Sequence, residues 1–340
     1  MKVAHVMAGA ASGGAELFFE RLTAAARAQG DEVLPVIRRN PERAAALTAA
    51  GMAPVQLAFG GWLDRGTPAQ LKRHVRAFGP ALVMAWMGRA AAAAPRGDWV
   101  LAGRLGGYYD LKRFRRCDHL VANTKGLVDW IGRQGWPADR VHHLPNFSPD
   151  LAGAVPAALP VPRGAPVVLA MGRLHPNKGF DVLVRALSHL PGVHAVIAGE
   201  GPERQALLDL AKSTGVTERL HLLGWREDGA ALLAAATVLA CPSRQEPLGN
   251  VVLEAFSARR PVVAAVADGP AELIRDGNTG LLVPVEDAAA LASALAQAIE
   301  SPARAAAMAA AARTEFEARH AEGPVLERWR DLLPRLKTAG

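Results

Sequence analysis

One unit repeats along this amino-acid sequence: an apolar run, a turn and an amphipathic helix, and the series of units runs through the chain twice. Such alternation favours a parallel sheet covered by helices on both faces. The predicted strands of the first series are residues 3–7, 32–37, 81–86, 99–102, 119–122 and 141–144. Those of the second series are residues 167–171, 194–198, 220–223, 237–241, 261–265 and 280–283. The chain is therefore predicted to form two open α/β lobes.

Helices are predicted between these strands. In the first series they are residues 15–29, 41–50, 68–78 and 125–134, and in the second 180–189, 202–214, 227–235, 249–258 and 288–300. Prolines at six positions between 145 and 166 interrupt both kinds of element and predict a linker. We expect lobes at residues 1–160 and 161–319, followed by a helical tail at residues 320–340.

Composition excludes several classes of protein. The two cysteines, Cys117 and Cys241, lie far apart without metal-ligand spacing, so neither a disulfide framework nor a zinc site is expected. No apolar run is long enough for a spanning helix, and the first apolar run reaches Gly9 too soon for a signal peptide. These features predict a cytoplasmic protein.

Positive charge is concentrated in the first lobe. Residues 1–160 carry 20 Lys and Arg against 12 Asp and Glu, while the rest carries 19 against 20. Two clusters contain Lys112, Arg113, Arg115 and Arg116, and Arg65, Lys72, Arg73 and Arg76. They indicate either a solvated surface or a face for anionic lipid or an anionic acceptor, which would let the protein lie peripherally on the inner membrane. Nucleic acid is disfavoured, because no interleaved aromatics or binding motif accompanies the clusters.

Ligands of open α/β lobes bind at the carboxyl ends of the strands, so we expect the loops there to form a site in the cleft between the lobes. The first loop contains Gly13-Gly14 before a helix, a pattern typical of a tight turn or of close approach to a phosphate. It is not a dinucleotide fingerprint, because the second strand ends in Arg38-Arg39 instead of an acidic residue.

In the second lobe, Arg173 and Lys178 follow the first strand within residues 172–179. Two cations on one short loop can bind a diphosphate, although a solvated basic turn is the alternative. The next strand ends in Gly199-Glu200-Gly201-Pro202, where a structural turn is at least as well supported as ligand contact.

The densest signal lies in residues 242–255. Glu246 follows a strand, and Glu254 lies in the helix that begins near Gly249, so both carboxylates can reach one ligand. The first amides of that helix form a site for an anion. A carboxylate beside such a site accepts hydrogen bonds from the hydroxyls of a ribose or a sugar. Residues 268–272 are expected to line the same place.

Together, these motifs resemble those of the family 4 retaining glycosyltransferases of the GT-B fold (glycosyl transferases group 1), as found in bacterial cell-surface and lipopolysaccharide synthesis. The resemblance spans nearly the whole chain and implies two Rossmann-like lobes, with the last helix packing back on the first. It implies that Glu246, Arg173 and Lys178 act in catalysis. The implied donor contacts are Gly13, Gly14, Gly172, Arg173, Lys178, Gly199, Trp225, Arg226, Glu246, Leu248, Gly249, Asn250, Val251 and Glu254.

The first lobe departs from the family pattern at one place. The family often has a histidine after the third strand, where this chain has Trp86-Met87-Gly88-Arg89. Polar and cationic groups that would serve the acceptor side instead are Glu16, Arg89, Arg104, Tyr108, Tyr109 and Lys112.

The predicted activity is transfer of a sugar from a nucleotide diphosphate sugar, with retention, to a glycan or lipid-linked glycan such as a lipopolysaccharide core. UDP is expected from the resemblance, and GDP stays open. No metal or other cofactor is expected, since two cations and a helix end can stabilise the leaving group and no Asp-x-Asp pair occurs. Two alternatives are an epimerase or hydrolase of the same architecture and a non-catalytic sugar-nucleotide sensor.

Overall fold

The structure is a computed structural model that describes residues 1–11, 13–60, 64 and 66–336. Arg65 of the second basic cluster and the last four residues of the predicted tail lie outside the described residues. So does residue 12 of the loop at residues 8–16, which contains Gly13-Gly14 and is here called the glycine loop. The chain forms two compact units, one of Met1–Asn146 with Glu322–Gly340 and the other of Phe147–Ala321. We describe each unit by itself.

Unit 1 contains a seven-stranded sheet in the order β3-β2-β1-β4-β5-β6-β7, with all strands parallel. Its strands are β1 (Lys2–Met7), β2 (Glu32–Arg38), β3 (Val55–Leu57), β4 (Leu82–Trp86), β5 (Val100–Leu105), β6 (His119–Ala122) and β7 (Val141–His143). Its helices are α1 (Gly14–Ala28), α2 (Pro41–Ala49), α3 (Gly66–Phe78), α4 (Met87–Ala93), α5 (Lys125–Arg133) and, from the end of the chain, α13 (Glu322–Leu332). Short 3-10 turns span Leu111–Phe114, Ala138–Arg140 and Leu333–Arg335.

Unit 2 repeats this plan in a six-stranded parallel sheet of order β10-β9-β8-β11-β12-β13. Its strands are β8 (Val167–Met171), β9 (His194–Ala198), β10 (Leu220–Gly224), β11 (Val238–Cys241), β12 (Val262–Ala265) and β13 (Leu281–Val283). Its helices are α6 (Phe180–Leu187), α7 (Arg204–Ser213), α8 (Gly229–Ala235), α9 (Asn250–Ser257), α10 (Asp268–Leu273), α11 (Ala288–Glu300) and α12 (Pro302–Arg319), with 3-10 turns at Pro176–Lys178 and Thr217–Arg219.

The central strands are apolar on both faces because helices cover both faces of each sheet. Every residue of β4 is buried, as is every residue of β9. Core side chains from the strands pack with the inner faces of the helices, for example Leu183 of α6 with Ile197 of β9. This continuous burial matches the runs from which the strands were predicted, and the prediction of two α/β lobes with parallel sheets is confirmed.

The structure differs from the sequence predictions at several places. Strand β3 was not predicted, because three residues give too short an apolar pattern. Helix α4 was not predicted either, because it begins directly at the end of β4 without turn residues between them. The tail from residue 302 onward forms two helices, α12 and α13, and these belong to different units.

The linker segment also lies differently from the expected boundary at residue 160. Residues 147–160 belong to unit 2, where the Leu151 amide donates to Ser257 Oγ at 2.9 Å and the Ala157 amide to the Ala231 carbonyl at 2.9 Å. The Arg313 guanidinium donates to both carboxylate oxygens of Asp150, at 2.6 and 2.8 Å. The prolines thus mark an extended segment that is packed along its length, and the division falls after Asn146.

Helix α13 completes unit 1. Trp329 is 1% exposed, and its ring centroid lies 5.9 Å from that of His5 in β1. His5 is buried, and its Nδ1 accepts a hydrogen bond from the Trp86 indole at 3.1 Å. The apolar stripe of the tail is therefore buried against the first strand of unit 1. Within the described part of the chain, no helix has both the length and the apolar character that crossing a membrane requires.

Candidate functional site

In each sheet the strand order reverses beside the first strand, and ligands of such folds bind at that reversal, beyond the carboxyl ends of the strands. In unit 2 the reversal lies between β8 and β11. The loops that follow these strands are residues 172–179, here called the Lys178 loop, and residues 242–249, the Glu246 loop. These are the two loops that carry the strongest sequence motifs, so the fold brings the predicted donor residues of these two loops to one edge.

The two loops are bonded to each other through their main chains. The amides of Arg244 and Gln245 both donate to the Asn177 carbonyl, at 2.9 and 3.2 Å. Gly179 ends the Lys178 loop with φ at 64°, and a Cβ there would lie 2.1 Å from the Pro242 carbonyl oxygen. Only glycine fits at this contact, because a side chain would meet both the backbone strain and the opposing main chain.

The side chains of Lys178 and Glu246 meet between these loops. Lys178 Nζ forms an ion pair with Glu246 Oε2, and Ser243 Oγ donates to the same oxygen at 3.3 Å. The Lys178 and Glu246 side chains are 24% and 12% exposed, so the pair is shielded but open to a ligand. A phosphate that approaches Lys178 can replace this carboxylate as its anionic partner and leave Glu246 free to accept from a hydroxyl.

Helix α9 begins directly after the Glu246 loop. Gly249, in the left-handed region with φ at 89°, is the N-cap residue and gives the helix no side-chain cap. The Glu246 carbonyl accepts from the Gly269 amide at 2.8 Å, and a Cβ on Gly269 would lie 2.3 Å from the Leu248 carbonyl. Residues 268–272 therefore support this loop from behind. The α9 dipole adds positive potential near Glu246.

Glu254 lies in α9 on a half-buried position, among neighbours that are almost all buried. Asn250 and Val251, at the start of the same helix, are also half-buried, whereas Leu248 is buried. Asn250, Val251 and Glu254 thus give α9 partial access to solvent, as a site for a ribose and a phosphate requires.

Arg173 is exposed, and the main chain around it is held tightly. The Gly172 amide donates to the Ala198 carbonyl at 3.0 Å, and the Leu174 amide to the Glu200 carbonyl at 2.9 Å. Cβ atoms on Gly199 and Gly201 would lie 1.8 and 2.3 Å from the carbonyl oxygens of Gly172 and Leu174. The glycines after β9 therefore allow close backbone packing against the Lys178 loop, as a structural turn at this motif requires.

Trp225 and Arg226 follow β10. The Trp225 side chain is 58% exposed, which leaves an aromatic face available for stacking. Arg226 donates through Nε to Asp228 at 2.7 Å. This local ion pair orients Arg226 toward its own turn.

In unit 1 the glycine loop folds around Glu16. The Glu16 carboxylate is 5% exposed and accepts from the Ala10 amide at 2.7 Å. Cβ atoms on Gly9 and Gly13 would lie 2.2 and 2.6 Å from its two oxygens. Glu16 is therefore a residue that shapes this loop, and Gly14 begins helix α1 directly behind it.

The other predicted acceptor residues divide into two sets. Arg104 is 3% exposed and lies beneath the Phe18 ring. Its guanidinium donates to the Leu144 carbonyl at 2.7 Å and to Asn146 Oδ1 at 2.9 Å. Burial lowers the pKa of this guanidinium to about 9. Tyr109 is half-buried, and the charges of Glu16 and Arg104 both act on the pKa of its hydroxyl. Exposed positions are occupied by Arg89, Tyr108 and Lys112. The structure thus brings Glu16, Arg104 and Tyr109 together and leaves the other three on the surface.

Two features of these sites were not predicted from the sequence. Arg244, inside the densest motif, donates to Asp181 and to the Pro176 carbonyl and so joins three segments. Met87, after β4, has φ at 63°. Residues other than glycine rarely adopt this left-handed backbone conformation, and it is often found at functional sites. The Met87 methyl lies 2.7 Å from the position of a Cβ on Gly9, so the methionine covers the glycine loop. From the sequence, only the position of Arg244 inside the densest motif could have indicated that it joins these segments.

Known proteins resemble this chain along most of its length. The family model described as glycosyl transferases group 1 matches residues 154–315. The lipopolysaccharide core biosynthesis glycosyltransferase LpsE of Rhizobium meliloti (strain 1021) is 36% identical over 309 residues, covering 87% of this chain and 88% of the relative. LpsD, a lipopolysaccharide core biosynthesis glycosyltransferase of the same strain, is 30% identical over 346 residues and covers 98% of both chains. The crystal structure of Alr3699/HepE from Anabaena in complex with UDP-glucose has a TM-score of 0.86 at 22% identity, over 99% of this chain and 100% of that one. That likeness shows a common fold of two Rossmann-like lobes.

Proposed function

Because this chain belongs to the group 1 glycosyl transferases, we propose that it transfers a sugar from a UDP-sugar, with retention, to a glycan of a lipopolysaccharide core. The chain is a glycosyltransferase, and the donor, acceptor and stereochemistry are the proposed part. LpsE and LpsD are named for lipopolysaccharide core biosynthesis, and HepE is seen with UDP-glucose. These relatives support the assignment of substrate classes.

The observation that carries the donor assignment is the Lys178–Glu246 pair on two loops bonded together beside the N-terminus of α9. Lys178 and Arg173 bind the diphosphate, and the first amides of α9, at Leu248 to Val251, bind phosphate and sugar. Glu254 accepts from the ribose hydroxyls, Trp225 borders the base, and Glu246 holds the transferred sugar. Gly172, Gly199 and Arg226 are assigned to border the donor.

In the proposed reaction the acceptor oxygen forms a bond to the anomeric carbon while the bond from that carbon to the diphosphate oxygen breaks. Both events occur on the same face of the sugar, which retains the configuration, and the acceptor proton passes to the departing diphosphate. Developing negative charge on the diphosphate is stabilised by two cations and the α9 dipole. No metal ion has a role in this proposal.

The acceptor is proposed to meet unit 1, whose basic cluster follows β5. Lys112, Arg113, Arg115 and Arg116 are exposed, and Tyr108 packs edge-on against Trp130 with ring centroids 5.2 Å apart. Cationic and aromatic groups on one surface suit the anionic face of the inner membrane, where a lipid-linked glycan is held. Peripheral membrane association is thus part of the proposal.

The test of the donor is a panel of UDP- and GDP-sugars, with release of the nucleoside diphosphate measured with and without lipopolysaccharide core glycan. We expect UDP release that depends on the glycan and falls by at least about a hundredfold in Arg173→Ala and Glu254→Ala. Lys212→Ala, an exposed lysine of α7, is the matched control and should retain activity. Full turnover in the two site variants would refute the donor assignment. Product formed equally well without glycan would indicate an epimerase or hydrolase.

Vesicle cosedimentation tests the membrane contact. The wild type should sediment with anionic phosphatidylglycerol vesicles at low salt and be released as salt screens the charge. A variant with Lys112, Arg113, Arg115 and Arg116 changed to Gln should stay in the supernatant. Equal sedimentation of this variant, or none of the wild type, would contradict peripheral association through this surface.

A further inference from the structure

Asn123 lies directly after β6 in unit 1 and has an unsatisfied polar atom. Its side chain is 4% exposed, and among the residues that the structure describes its Oδ1 has no hydrogen-bond partner. Its main-chain carbonyl is near His143 Nε2, at 3.3 Å. A buried amide without a partner costs free energy, and proteins retain such groups mainly where a water or ligand completes the bond. The sequence motifs did not draw attention to this residue.

The Asn123 side chain borders a small space over Gly106, and the Asn123 atom nearest to that space is the amide nitrogen, Nδ2. A Cβ built on Gly106 would lie 3.7 Å from Asn123 Nδ2, 3.9 Å from the Tyr109 hydroxyl and 3.9 Å from the Ala15 methyl. These are ordinary contact distances, so one heavy atom can occupy this place without moving its neighbours. Two of the three surrounding groups, the Asn123 amide nitrogen and the Tyr109 hydroxyl, can form hydrogen bonds, which suits a polar occupant.

The Tyr109 hydroxyl stays protonated and can donate. Burial raises its pKa, the Glu16 carboxylate raises it further, and the Arg104 guanidinium lowers it. The Tyr109 ring is held by stacking on Phe114, with centroids 6.4 Å apart and planes at 14°. The hydroxyl is therefore a positioned donor that borders the same space as the Asn123 amide nitrogen.

This place lies at the carboxyl edge of the unit 1 sheet. Gly106 follows β5, Asn123 follows β6, and Ala15 lies in the first turn of α1 behind the glycine loop. Ligands of parallel α/β sheets bind at this edge. The space is thus on the side of unit 1 where a substrate is expected.

We propose that Asn123, Tyr109 and Gly106 form a subsite for one hydroxyl of the acceptor sugar. A sugar hydroxyl both donates and accepts, so it can accept from one of these groups and donate to the other. The glycine leaves room for the oxygen. This inference rests on the proposed transferase function and names the part of unit 1 that selects the acceptor.

The probe is the core oligosaccharide released from lipopolysaccharide of a Rhizobium meliloti strain that lacks LpsE. Its binding is measured by calorimetric titration without nucleotide, for the wild type, Asn123→Ala, Gly106→Ala and Gly132→Ala. Gly132 lies in α5 with nothing within 4 Å of an added Cβ, so it is the matched control. Asn123→Ala removes the amide, and Gly106→Ala fills the space with one methyl group.

The wild type and Gly132→Ala should bind the oligosaccharide alike. Asn123→Ala and Gly106→Ala should each bind at least about tenfold more weakly, the usual loss for one buried hydrogen bond. Their UDP affinity should equal that of the wild type. Should Asn123→Ala fail to fold, Gly106→Ala decides, because its added methyl meets only ordinary contacts.

Unchanged oligosaccharide affinity in both site variants would overturn the subsite, as would a wild type that does not bind the oligosaccharide at millimolar concentration. A crystal structure that shows only a water fixed at Asn123 in the presence of the oligosaccharide would overturn it too. Failure of the wild type to bind UDP would instead refute the proposed donor, and the oligosaccharide titration would still judge the subsite.

Discussion

Arg244 and Asp181 form a two-point hydrogen bond in which the guanidinium donates to both carboxylate oxygens at 2.8 Å. The same guanidinium donates to the Pro176 carbonyl at 2.6 Å and to Glu286 at 2.5 Å. Arg244 belongs to the Glu246 loop, Pro176 to the Lys178 loop and Asp181 to the first turn of α6. One side chain therefore fixes the two loops whose tips carry the Lys178–Glu246 pair, and hydrogen bonds to Asp181 and Glu286 raise the pKa of the Arg244 guanidinium.

Removing the Arg244 hydrogen bonds should lower the catalytic rate, although Arg244 is not assigned a contact with the substrate. In Arg244→Ala we expect kcat/KM for the donor to fall by about ten- to a hundredfold, since small displacements of reacting groups have large effects on rate. Steady-state kinetics with the sugar nucleotide that the donor panel selects measures it. Guanidine added to Arg244→Ala should restore part of the activity. Arg185→Ala, an exposed arginine of α6, is the control, and an equal fall there would contradict a positioning role.

Gly179→Ala tests the contact between the two loops. Its φ of 64° resembles that of Gly192, at 72°, where nothing lies within 4 Å of an added Cβ. Gly192→Ala should cost only the left-handed strain of about 1–2 kcal/mol. Gly179→Ala should cost about 1–3 kcal/mol more, because its Cβ meets the Pro242 carbonyl. Urea unfolding of unit 2 measures both, and equal losses would show that the loops move apart freely.

We expect the free energy of unfolding to fall in acid because of His142. Burial, and next the nearby His119 with ring nitrogens 3.0 Å apart, lower its pKa from 6.5 to about 4. The unfolded chain therefore binds a proton between pH 6.5 and about 4 that the folded chain does not, so stability is full above this window and falls as pH decreases through it. One proton gives a slope of at most about 1.4 kcal/mol per pH unit.

His142→Gln should reduce that slope in unfolding experiments between pH 4 and 7, whereas a change at the exposed His189 should leave it as in the wild type. An unaltered slope in His142→Gln would show that the ring is protonated equally in both states.

Trp329 tests the place of the last helix. Replacing this buried side chain with Ala should destabilise unit 1 by about 3–5 kcal/mol, since it leaves a large cavity against His5. Hydrogen exchange of the β1 amides reports the opening of unit 1. Arg330→Ala, exposed on the same helix, should leave this exchange unchanged. Slow β1 exchange in Trp329→Ala would contradict the packing.

Regular elements followed from sequence pattern where they are long and apolar. Strand β8 and helix α11 lie where they were predicted, because continuous burial and helical spacing leave a direct trace in the sequence. Strand β3 and helix α4 leave little trace, since one is short and the other starts without a turn. Neither could be distinguished from a loop.

The candidate site was predictable in its motifs but not in its contacts. Lys178 and Glu246 are 68 positions apart, and only the strand order brings them together. Arg104 was predicted to face an acceptor, but the structure places it under Phe18. The sequence could not show this, because both faces of a parallel sheet are buried and have the same apolar pattern. Asn123 could not be found from sequence, because an unsatisfied atom is a property of the packed structure.

The central claim is that positive charge beside Glu246 neutralises the diphosphate of the donor, and paired titrations of UDP and UMP test it most directly. Lys178→Ala should bind UDP at least about tenfold more weakly than the wild type and bind UMP almost equally, because only UDP has the second phosphate. Equal losses for UDP and UMP, or no loss for either, would contradict the account.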